Sequence, residues 1–338
     1  MNRRRLTIGA MFATLILALV SSFVGATSIS PSEVFGALTG SERIDETKLT
    51  ILLQLRLPRI VAAISVGASL AAAGCAFQGL FRNPLAEPYI IGASSGAGLG
   101  VTIVVVSGLQ MAFLSVGATA ILAVGGALGV VFTVMLIASL SSSRTSATLL
   151  LSGVVISSMV NAMVSLLMFL CDQRAVVILT WLMGSLASSH WGTATLVLVL
   201  GGLGGFAVML SARALDVYSL GDTASVSLGL PLRHFRWFVV VAASLCTAAS
   251  VAAAGIVGFV GLIGPHIARS MVGPRHSDLI PMSALVGAML MLIADTIARI
   301  VIAPAELPVG IVTAILGCPF FLWLLIAAPR SRSGASVS

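Results

Sequence analysis

The sequence predicts an all-α membrane protein that crosses the bilayer about ten times, and two observations support this fold class. Of the 338 residues, 58% are hydrophobic and only 9% are charged, whereas soluble domains carry about 25% charged residues. A soluble globule of this length needs a polar exterior that so apolar a chain cannot supply. The apolar residues are also grouped in runs long enough for spanning helices, which need roughly 20 residues each.

Ten apolar runs, bounded by charged residues, proline or glycine, follow one another along the chain. They lie approximately at residues 6–27, 57–80, 89–107, 113–140, 148–170, 193–212, 236–257, 258–272, 279–302 and 308–328. The eighth run is short for a full span, so we predict a tilted or broken helix packed against protein. Together the runs predict a single transmembrane domain over residues 1–338.

The first run follows Arg3-Arg4-Arg5, as the core of a signal peptide would, and ends at the small residues Val24-Gly-Ala26. A signal core has about 7–15 apolar residues, and this run is longer. We therefore interpret residues 1–26 as a retained first helix, with cleavage as the alternative.

The basic residues predict the orientation of the helices. The net charge is +7, and single basic residues between apolar runs are typical of topology signals rather than of nucleic-acid binding. With the N-terminus inside, twelve arginines lie at cytoplasmic ends: Arg3, Arg4, Arg5, Arg82, Arg144, Arg213, Arg233, Arg236, Arg269, Arg275, Arg330 and Arg332. Six basic residues lie at or near the outer face: Arg43, Lys48, Arg56, Arg59, Arg174 and Arg299. This distribution places both termini in the cytoplasm.

Several runs are rich in small residues, notably residues 67–74, 92–100 and 252–255. Small side chains let helix backbones approach closely in lipid. We therefore predict a compact helix bundle.

The inner loop, residues 213–235, contains the pattern of a short amphipathic helix. The pattern consists of Asp222 as the capping or first residue, Ala224 and Leu228 on one face, and Gly229 and Pro231 at the end. An ordinary connector on the surface is the alternative, and the periodicity leaves both open. The outer loop, residues 28–50, is acidic.

The sequence contains no catalytic constellation: the HExxH, GxSxG and GxxxxGK[ST] motifs are absent. We therefore predict that the chain is not an enzyme and does not hydrolyse ATP itself. The four cysteines are far apart and lie in or beside apolar runs, which favours small buried side chains over metal ligands or disulfides. They are Cys75, Cys171, Cys246 and Cys318.

Asp295 and Arg299 are four residues apart in the ninth run, so their side chains share a face and can pair. Ionisable groups at membrane depth are costly and usually face a cavity or a partner. We place Arg299 near the outer mouth, with Asp295 as its structural partner. A secondary transporter driven by an ion gradient, the alternative from another class, predicts buried carboxylates in several spans, and Asp295 is the only candidate.

The sequence does not by itself decide the roles of two further groups of polar residues. His266 follows the break at Pro265 without companion ligands, so we expect a structural hydrogen bond rather than a metal. Thr145, Ser146 and Thr148 precede the fifth run at its cytoplasmic end, where they line a pore exit or cap a helix.

Five motifs resemble those of the FecCD-type permeases, the membrane subunits of type II ABC importers for iron–siderophore complexes, haem and cobalamin. They are Arg56-Leu-Pro-Arg59, the stretch from Gln78 through Asn83 and Pro84 to Pro88, Gly255 to His266, Ala294 to Arg299, and Ala305 to Phe321. The match covers nearly the whole chain in order and spacing. Asn83, Pro84, Pro265, His266 and Asp295 are assigned structural roles.

The resemblance implies ten helices per subunit and a dimer, with an identical or paralogous permease, whose interface holds the translocation path. It also implies two cytoplasmic ATPase subunits, which would bind ATP and Mg, and a periplasmic or lipid-anchored binding protein. The location implied is a bacterial cytoplasmic membrane. No cofactor or metal is expected in this chain.

The resemblance also assigns site residues. Arg56, Arg59 and Arg299 are similar to arginines that pair with glutamates of the binding protein. Residues 214–232 resemble the coupling helices that dock on the ATPase, which favours a docking helix over a connector; the matching residues are Asp222, Ala224, Gly229 and Pro231. The cytoplasmic gate corresponds to Thr145, Ser146 and Ala147, the alanine being a departure. The expected cargo is an iron–siderophore complex, with cobalamin and haem as alternatives.

Overall fold

The computed structural model describes residues 3–25, 45–109, 112–113, 116–141 and 145–327, together with residues 30, 32, 33, 36 and 39. The predicted positions of both termini, and of Arg43, Arg144, Arg330 and Arg332, lie outside the described residues.

Helices make up almost all of the described structure. They are α1 (Arg3–Phe23), α2 (Glu46–Thr50), α3 (Leu57–Phe81), α4 (Ala93–Ser107), α5 (Ala118–Leu140), α6 (Ser146–Leu170), α7 (Asp172–Leu182), α8 (Trp191–Leu210), α9 (Ala212–Tyr218), α10 (Asp222–Ser227), α11 (Leu232–Ala254), α12 (Val260–Val272), α13 (His276–Ile300) and α14 (Val309–Ala327). A π-helical segment, Ile51–Arg56, joins α2 to α3, and a 3-10 turn, Pro88–Ile91, precedes α4. Two short strands, β1 (Ala112–Phe113) and β2 (Val116–Gly117), pair antiparallel.

The predicted all-α, multi-span architecture is confirmed. Among the described residues, seven helices are long and apolar enough to cross a membrane. The shorter helices α4, α12 and α14 correspond to the third, eighth and tenth predicted runs. The eighth run is a helix of 13 residues with Pro265 inside it, in agreement with the prediction of a short span.

Three features of the helices differ from the predictions. The second span begins earlier, because residues 46–81 are continuously helical and Arg56 lies within this helix. Helix α7 was not predicted, since its 11 residues are too few for a span and Arg174 interrupts its apolar pattern. The inner loop contains two helices, α9 and α10, where one was expected.

Helix α3 lies at the centre of the bundle and is buried along most of its length. It packs against α13, α11, α8 and α12. Glycines face glycines at three close crossings: Gly67 meets Gly287 of α13, Gly74 meets Gly261 of α12, and Gly96 of α4 meets Gly126 of α5. A Cβ atom on Gly67, Gly74 or Gly96 would overlap the facing main chain. The predicted close packing of small residues is therefore confirmed for the first two segments.

The polar side chains lie mainly at the two ends of the bundle. We call the end at which α1 begins the inner end, and the opposite end the outer end. Arg3 at the inner end pairs with Asp278 at 2.6 Å. Arg174 at the outer end donates hydrogen bonds to the carbonyl groups of Val105 (2.5 Å) and Val106 (2.8 Å).

Candidate functional site

The three arginines predicted to dock a binding protein lie together at the outer end. With two carboxylates they form what we call the outer arginine cluster: Arg56, Arg59, Asp295, Arg299 and Glu306. Arg56 ends the π-helical segment, Arg59 lies in α3 and Arg299 in α13. All three are buried, with exposed fractions of 6 to 9%. Buried guanidinium groups need partners, and the structure supplies them from within the chain.

Arg56 and Arg299 hold the end of α1. Arg56 donates a hydrogen bond to the carbonyl of Ser22 at 2.7 Å. Arg299 donates to the Ser21 hydroxyl at 2.6 Å and to the Val24 carbonyl at 2.9 Å. The last carbonyl groups of a helix have no partners within it and carry partial negative charge. The two arginines therefore satisfy the α1 C-terminus and fix it against α3 and α13.

Arg59 bridges α3 to two other segments. Its Nε donates to Asp295 Oδ1 at 2.8 Å. Its Nη1 donates to both carboxylate oxygens of Glu306, at 3.0 and 2.9 Å. One nitrogen thus contacts both carboxylate oxygens, and such charge-assisted hydrogen bonds are stronger than neutral ones. Glu306 is the functional candidate that the sequence reasoning missed, although it lies in one of the recognised motifs.

Asp295 is shared between two arginines. The predicted pair with Arg299 is present, with Nε 3.2 Å from Oδ2, but these two atoms do not meet hydrogen-bond geometry. The shorter contact of Asp295 is with Arg59. Asp295 therefore orients both arginines, which extends the predicted structural role from one partner to two.

The outer arginine cluster carries excess positive charge, because three guanidinium groups face two carboxylates. Its accessible part is Glu306, whose side chain is 35% exposed, whereas that of Arg59 is 11% exposed. An incoming carboxylate can therefore reach Arg59 by displacing Glu306. The charge excess and this accessible pair suit recognition of an acidic group.

At the inner end, Asp222 is held by arginines from two spanning helices. Arg82, after α3, and Arg236, in α11, each place Nη2 2.6 Å from a carboxylate oxygen of Asp222. Tyr218 completes this group, since the Arg82 guanidinium lies 4.1 Å from its ring centroid and Arg236 donates to its hydroxyl at 3.2 Å. We call these four residues the inner clamp.

Asp222 therefore begins α10 but does not cap it with its side chain, which corrects one of the two predicted roles. Gly221 is the capping residue, with a φ of 106° that favours glycine. Partial burial acts to raise the pKa of Asp222. The hydrogen bonds and charges of Arg82 and Arg236 outweigh that effect and leave the pKa below its ordinary value.

Helix α10 is short and presents apolar side chains to the solvent. Val226 is 59% exposed, and Leu220 and Leu228 on either side of the helix are 65% and 62% exposed. Ala224 is half-buried, so Leu228 is the exposed member of the predicted pair. Gly229, with a φ of 83°, follows the helix, and Pro231 caps α11. A tethered helix with an uncovered apolar face is suited to docking on another protein.

Thr145 caps α6, which was one of its two predicted roles. Its hydroxyl accepts a hydrogen bond from the N–H of Thr148 at 3.3 Å. Thr145 also lines a cavity of ≈ 240 Å³ at the inner end. Ala147 is exposed, and the side chain of Ser146 lies outside the described residues. The structure thus places the predicted gate residues at the start of α6.

Of the residues given structural roles, Asn83 behaves as expected and His266 does not. Asn83, followed by Pro84, forms a turn in which its side-chain oxygen accepts a hydrogen bond from the N–H of Leu85 at 2.9 Å. His266 makes no hydrogen bond with the described residues, contrary to our expectation. Its ring instead packs edge-on against that of Phe320 in α14, with 5.9 Å between the ring centroids.

Glu87 and Tyr89 tie the segment before α4 to the segment before α12. Glu87 accepts a hydrogen bond from the N–H of Phe259 at 3.2 Å, and the Tyr89 hydroxyl donates to the carbonyl of Val257 at 2.9 Å. The sequence reasoning noted the motif around Glu87 but not this contact. Within the described part of the chain, no group of three or more His, Cys, Asp or Glu side chains could hold a metal ion.

Comparisons with known proteins agree with this architecture. The model of the FecCD transport family matches residues 13–327. The hemin transport system permease protein HmuU of Yersinia pestis is 37% identical over 337 residues, 98% of each chain. The cobalamin import system permease protein BtuC of Halobacterium salinarum is 41% identical over 288 residues, which are 83% of this chain and 75% of that one. A solved inward-facing structure described as a metal-chelate type ABC transporter is 33% identical, with a TM-score of 0.84 over 96% of this chain and 99% of that one.

Proposed function

Because this chain belongs to the FecCD transport family and is the permease of a type II ABC importer, not itself an enzyme, we propose that it carries a ferric siderophore inward across the bacterial cytoplasmic membrane. The observation that supports the mechanism is that α10, a short helix with exposed apolar side chains, is fixed to two spanning helices through Asp222. Haem and cobalamin are the alternative cargoes. They appear in the names of two relatives.

Three kinds of partner follow from this proposal. Two ATPase subunits, which bind ATP and Mg, dock at the cytoplasmic, inner end, one on the exposed apolar side chains of α10 in each permease. A second permease, identical or paralogous, completes the translocation path. A periplasmic or lipid-anchored binding protein delivers the cargo to the outer end, and both termini of this chain lie in the cytoplasm.

The binding protein docks through its acidic side chains on the outer arginine cluster. The excess positive charge of the cluster supports this docking. Because the arginines are buried, docking also requires that a carboxylate already in the cluster move aside. A glutamate of the binding protein displaces Glu306 from Arg59 before it forms its own bidentate pair. Docking is therefore an exchange of carboxylates, and its cost is lower than that of exposing an unpaired arginine.

Transport follows from linkage between the two ends. ATP binding closes the ATPase subunits and moves α10, and the inner clamp passes this movement to α3 and α11. The helix bundle is thereby shifted between outward-open and inward-open states. The cytoplasmic gate opens at the start of α6, around Thr145, Ser146 and Ala147.

An ion-driven secondary transporter is less well supported. In such a protein, protonatable groups in several spans would exchange protons with the cargo path. Asp295 is tied to Arg59 and Arg299 at the outer end, and Glu87 accepts a hydrogen bond from the main chain.

Uptake in cells that lack this chain tests the proposal. Labelled ferric siderophore, haem and cobalamin are supplied in parallel, with ATP-depleted cells as a further arm. We expect loss of ferric siderophore uptake alone, its restoration by the wild-type chain, and no restoration by Arg56→Glu/Arg59→Glu at equal membrane abundance. Lys48→Glu, a charge reversal elsewhere at the outer end, is the matched control and restores uptake. Loss of haem or cobalamin uptake instead would identify that compound as the cargo and contradict the siderophore proposal. Uptake that survives ATP depletion would contradict the ABC mechanism.

A further inference from the structure

A cavity at the inner end is lined by Thr145 of the proposed gate and Arg236 of the inner clamp, and the proposed transport cycle assigns no ligand to it. We call it the inner cavity. It has a volume of ≈ 240 Å³ and lies between the inner ends of α3, α5, α6 and α11. Its interior is mostly apolar, with contributions from Leu80, Met135, Ala138, Leu149, Trp237 and Val240. An apolar cavity of about 150 Å³ accommodates a benzene molecule, so the inner cavity has room for a segment of hydrocarbon chain.

The polar part of the inner cavity is positively charged. Arg233 and Arg236 line it, one turn apart at the start of α11. Arg236 is paired with Asp222. Arg233 is exposed and pairs with no carboxylate among the described residues. The Arg233 guanidinium therefore gives the polar part of the cavity complementary charge for an anion.

The helices around the inner cavity also carry uncovered apolar side chains. Phe132 and Leu140 of α5 are 60% and 78% exposed, and Phe238 of α11 is 46% exposed. Trp237 packs edge-on against Phe132 at 6.5 Å between ring centroids. Tryptophan with an apolar neighbour at the end of a spanning helix is typical of the level of the lipid headgroups.

We propose that the inner cavity binds an anionic phospholipid, with the headgroup phosphate on Arg233 and part of an acyl chain against Trp237 and Ala138, which line the cavity and are partly accessible. A soluble anion would leave the apolar interior uncovered. A zwitterionic lipid would bring its own cation next to the arginines. Basic pockets between spanning helices on the cytoplasmic side are known to suit anionic headgroups. The proposal is independent of the cargo and of docking at the outer end.

Native mass spectrometry of the purified full-length chain tests this site. The probes are dioleoyl phosphatidylglycerol and dioleoyl phosphatidylcholine at equal concentrations, with glycerol 3-phosphate as a soluble competitor. Arg233→Ala removes the headgroup contact, and Arg213→Ala is the matched control because Arg213 is an exposed inner-end arginine outside the cavity. Ala138→Phe fills the cavity and leaves both cavity arginines in place. Ser139→Leu is a second filling variant, and thermal unfolding checks that each variant is folded.

We expect the wild type to retain phosphatidylglycerol in preference to phosphatidylcholine. One cationic group near the membrane surface contributes about 1 kcal/mol, so Arg233→Ala should lower retention about fivefold, with Arg213→Ala unchanged. A folded filling variant should lose the retained lipid. Equal retention of the two lipids, equal losses in Arg233→Ala and Arg213→Ala, retention by a folded filling variant, or displacement by glycerol 3-phosphate would each overturn the proposal.

Discussion

At the scale of single residues, Asp295 is a buried carboxylate that compensates the charge of two buried arginines. It is 1% exposed and lies between Arg59 and Arg299, both also buried. Its negative charge offsets two cations in a place where water cannot do so. Removing one member of a buried ionic group leaves the others uncompensated, which costs far more than losing an exposed ion pair.

We therefore predict that Asp295→Asn destabilises the protein by about 3–5 kcal/mol. Asp278→Asn is the matched control. It removes the same charge from the exposed pair with Arg3, and such pairs contribute about 0–1 kcal/mol. Thermal unfolding of both purified variants in detergent measures the difference. Equal effects would contradict the role given to Asp295.

Asp222 gives a prediction about pH. Its pKa is lowered in the folded protein, so the stabilisation from its arginine partners is present above the ordinary aspartate pKa. It is lost only as pH falls through the lowered value. The inner clamp should therefore stay ionised from about pH 5 to 8, since an ordinary aspartate titrates near 3.9.

Asp222→Asn should lower transport per ATP hydrolysed by a similar factor at every pH in that range, because the charge it removes is constant there. Arg213→Ala, which alters an inner-loop arginine outside the inner clamp, should leave coupling unchanged. Measured ATP hydrolysis and uptake in reconstituted vesicles give the ratio. A coupling loss that appeared only near one end of the pH range would show that another group titrates.

At the scale of elements, α3 depends on glycine where it crosses its neighbours. Gly74 faces the main chain of Gly261 so closely that no side chain fits between them. The backbone there cannot yield without moving α12 away from the centre of the bundle. This crossing also positions α3, whose two ends carry Arg59 and Arg82.

Gly74→Ala should therefore destabilise the protein by about 1–3 kcal/mol or more, as overpacked cores do. Gly202→Ala in α8 is the matched control, because nothing lies within 4 Å of the added methyl group. Since alanine favours a helix by about 1 kcal/mol over glycine, this control should be neutral or stabilising. Thermal unfolding distinguishes the two, and equal midpoints would contradict the close crossing.

At the scale of the whole molecule, the spanning helices are buried to very different extents. Helix α6 is among the least buried, and Leu151, Met159 and Phe169 along it are 66%, 57% and 83% exposed. The proposed gate lies at the start of α6, and the proposed translocation path lies between two permeases. Helix α6 is therefore expected to face the partner permease rather than lipid alone.

Met159→Cys should form disulfide crosslinks between permeases in native membranes under mild oxidation. Leu198→Cys on α8, at a similar 54% exposure, is the control and should not crosslink. The background for both is a chain in which Cys171 and Cys318, the native cysteines that are not buried, are replaced by serine. Crosslinking through Leu198 but not Met159 would move the subunit interface to α8.

The sequence predicted the spans, because lipid imposes length and composition on every spanning segment. It also predicted the end of the bundle at which most described arginines lie, because basic residues are distributed unequally between the two sides of a membrane. It also brought Arg56, Arg59 and Arg299 to one end. It missed α7, which is too short to span, and it assigned Asp222 a possible capping role. The partners of Asp222 come from α3 and α11, far away in the chain.

The sequence by itself determined the all-α fold class, the number of apolar runs and the distribution of charge between their ends. Only the tertiary structure decided that Arg59 pairs with Glu306, 247 residues away, and Arg82 with Asp222, 140 residues away. The physical reason is that α3 is apolar and small-sided all round, so no stripe along it specifies which neighbour each face meets. Packing of glycine against glycine determines which neighbour each face of α3 meets. That arrangement in turn determines which charged side chains come together at the helix ends.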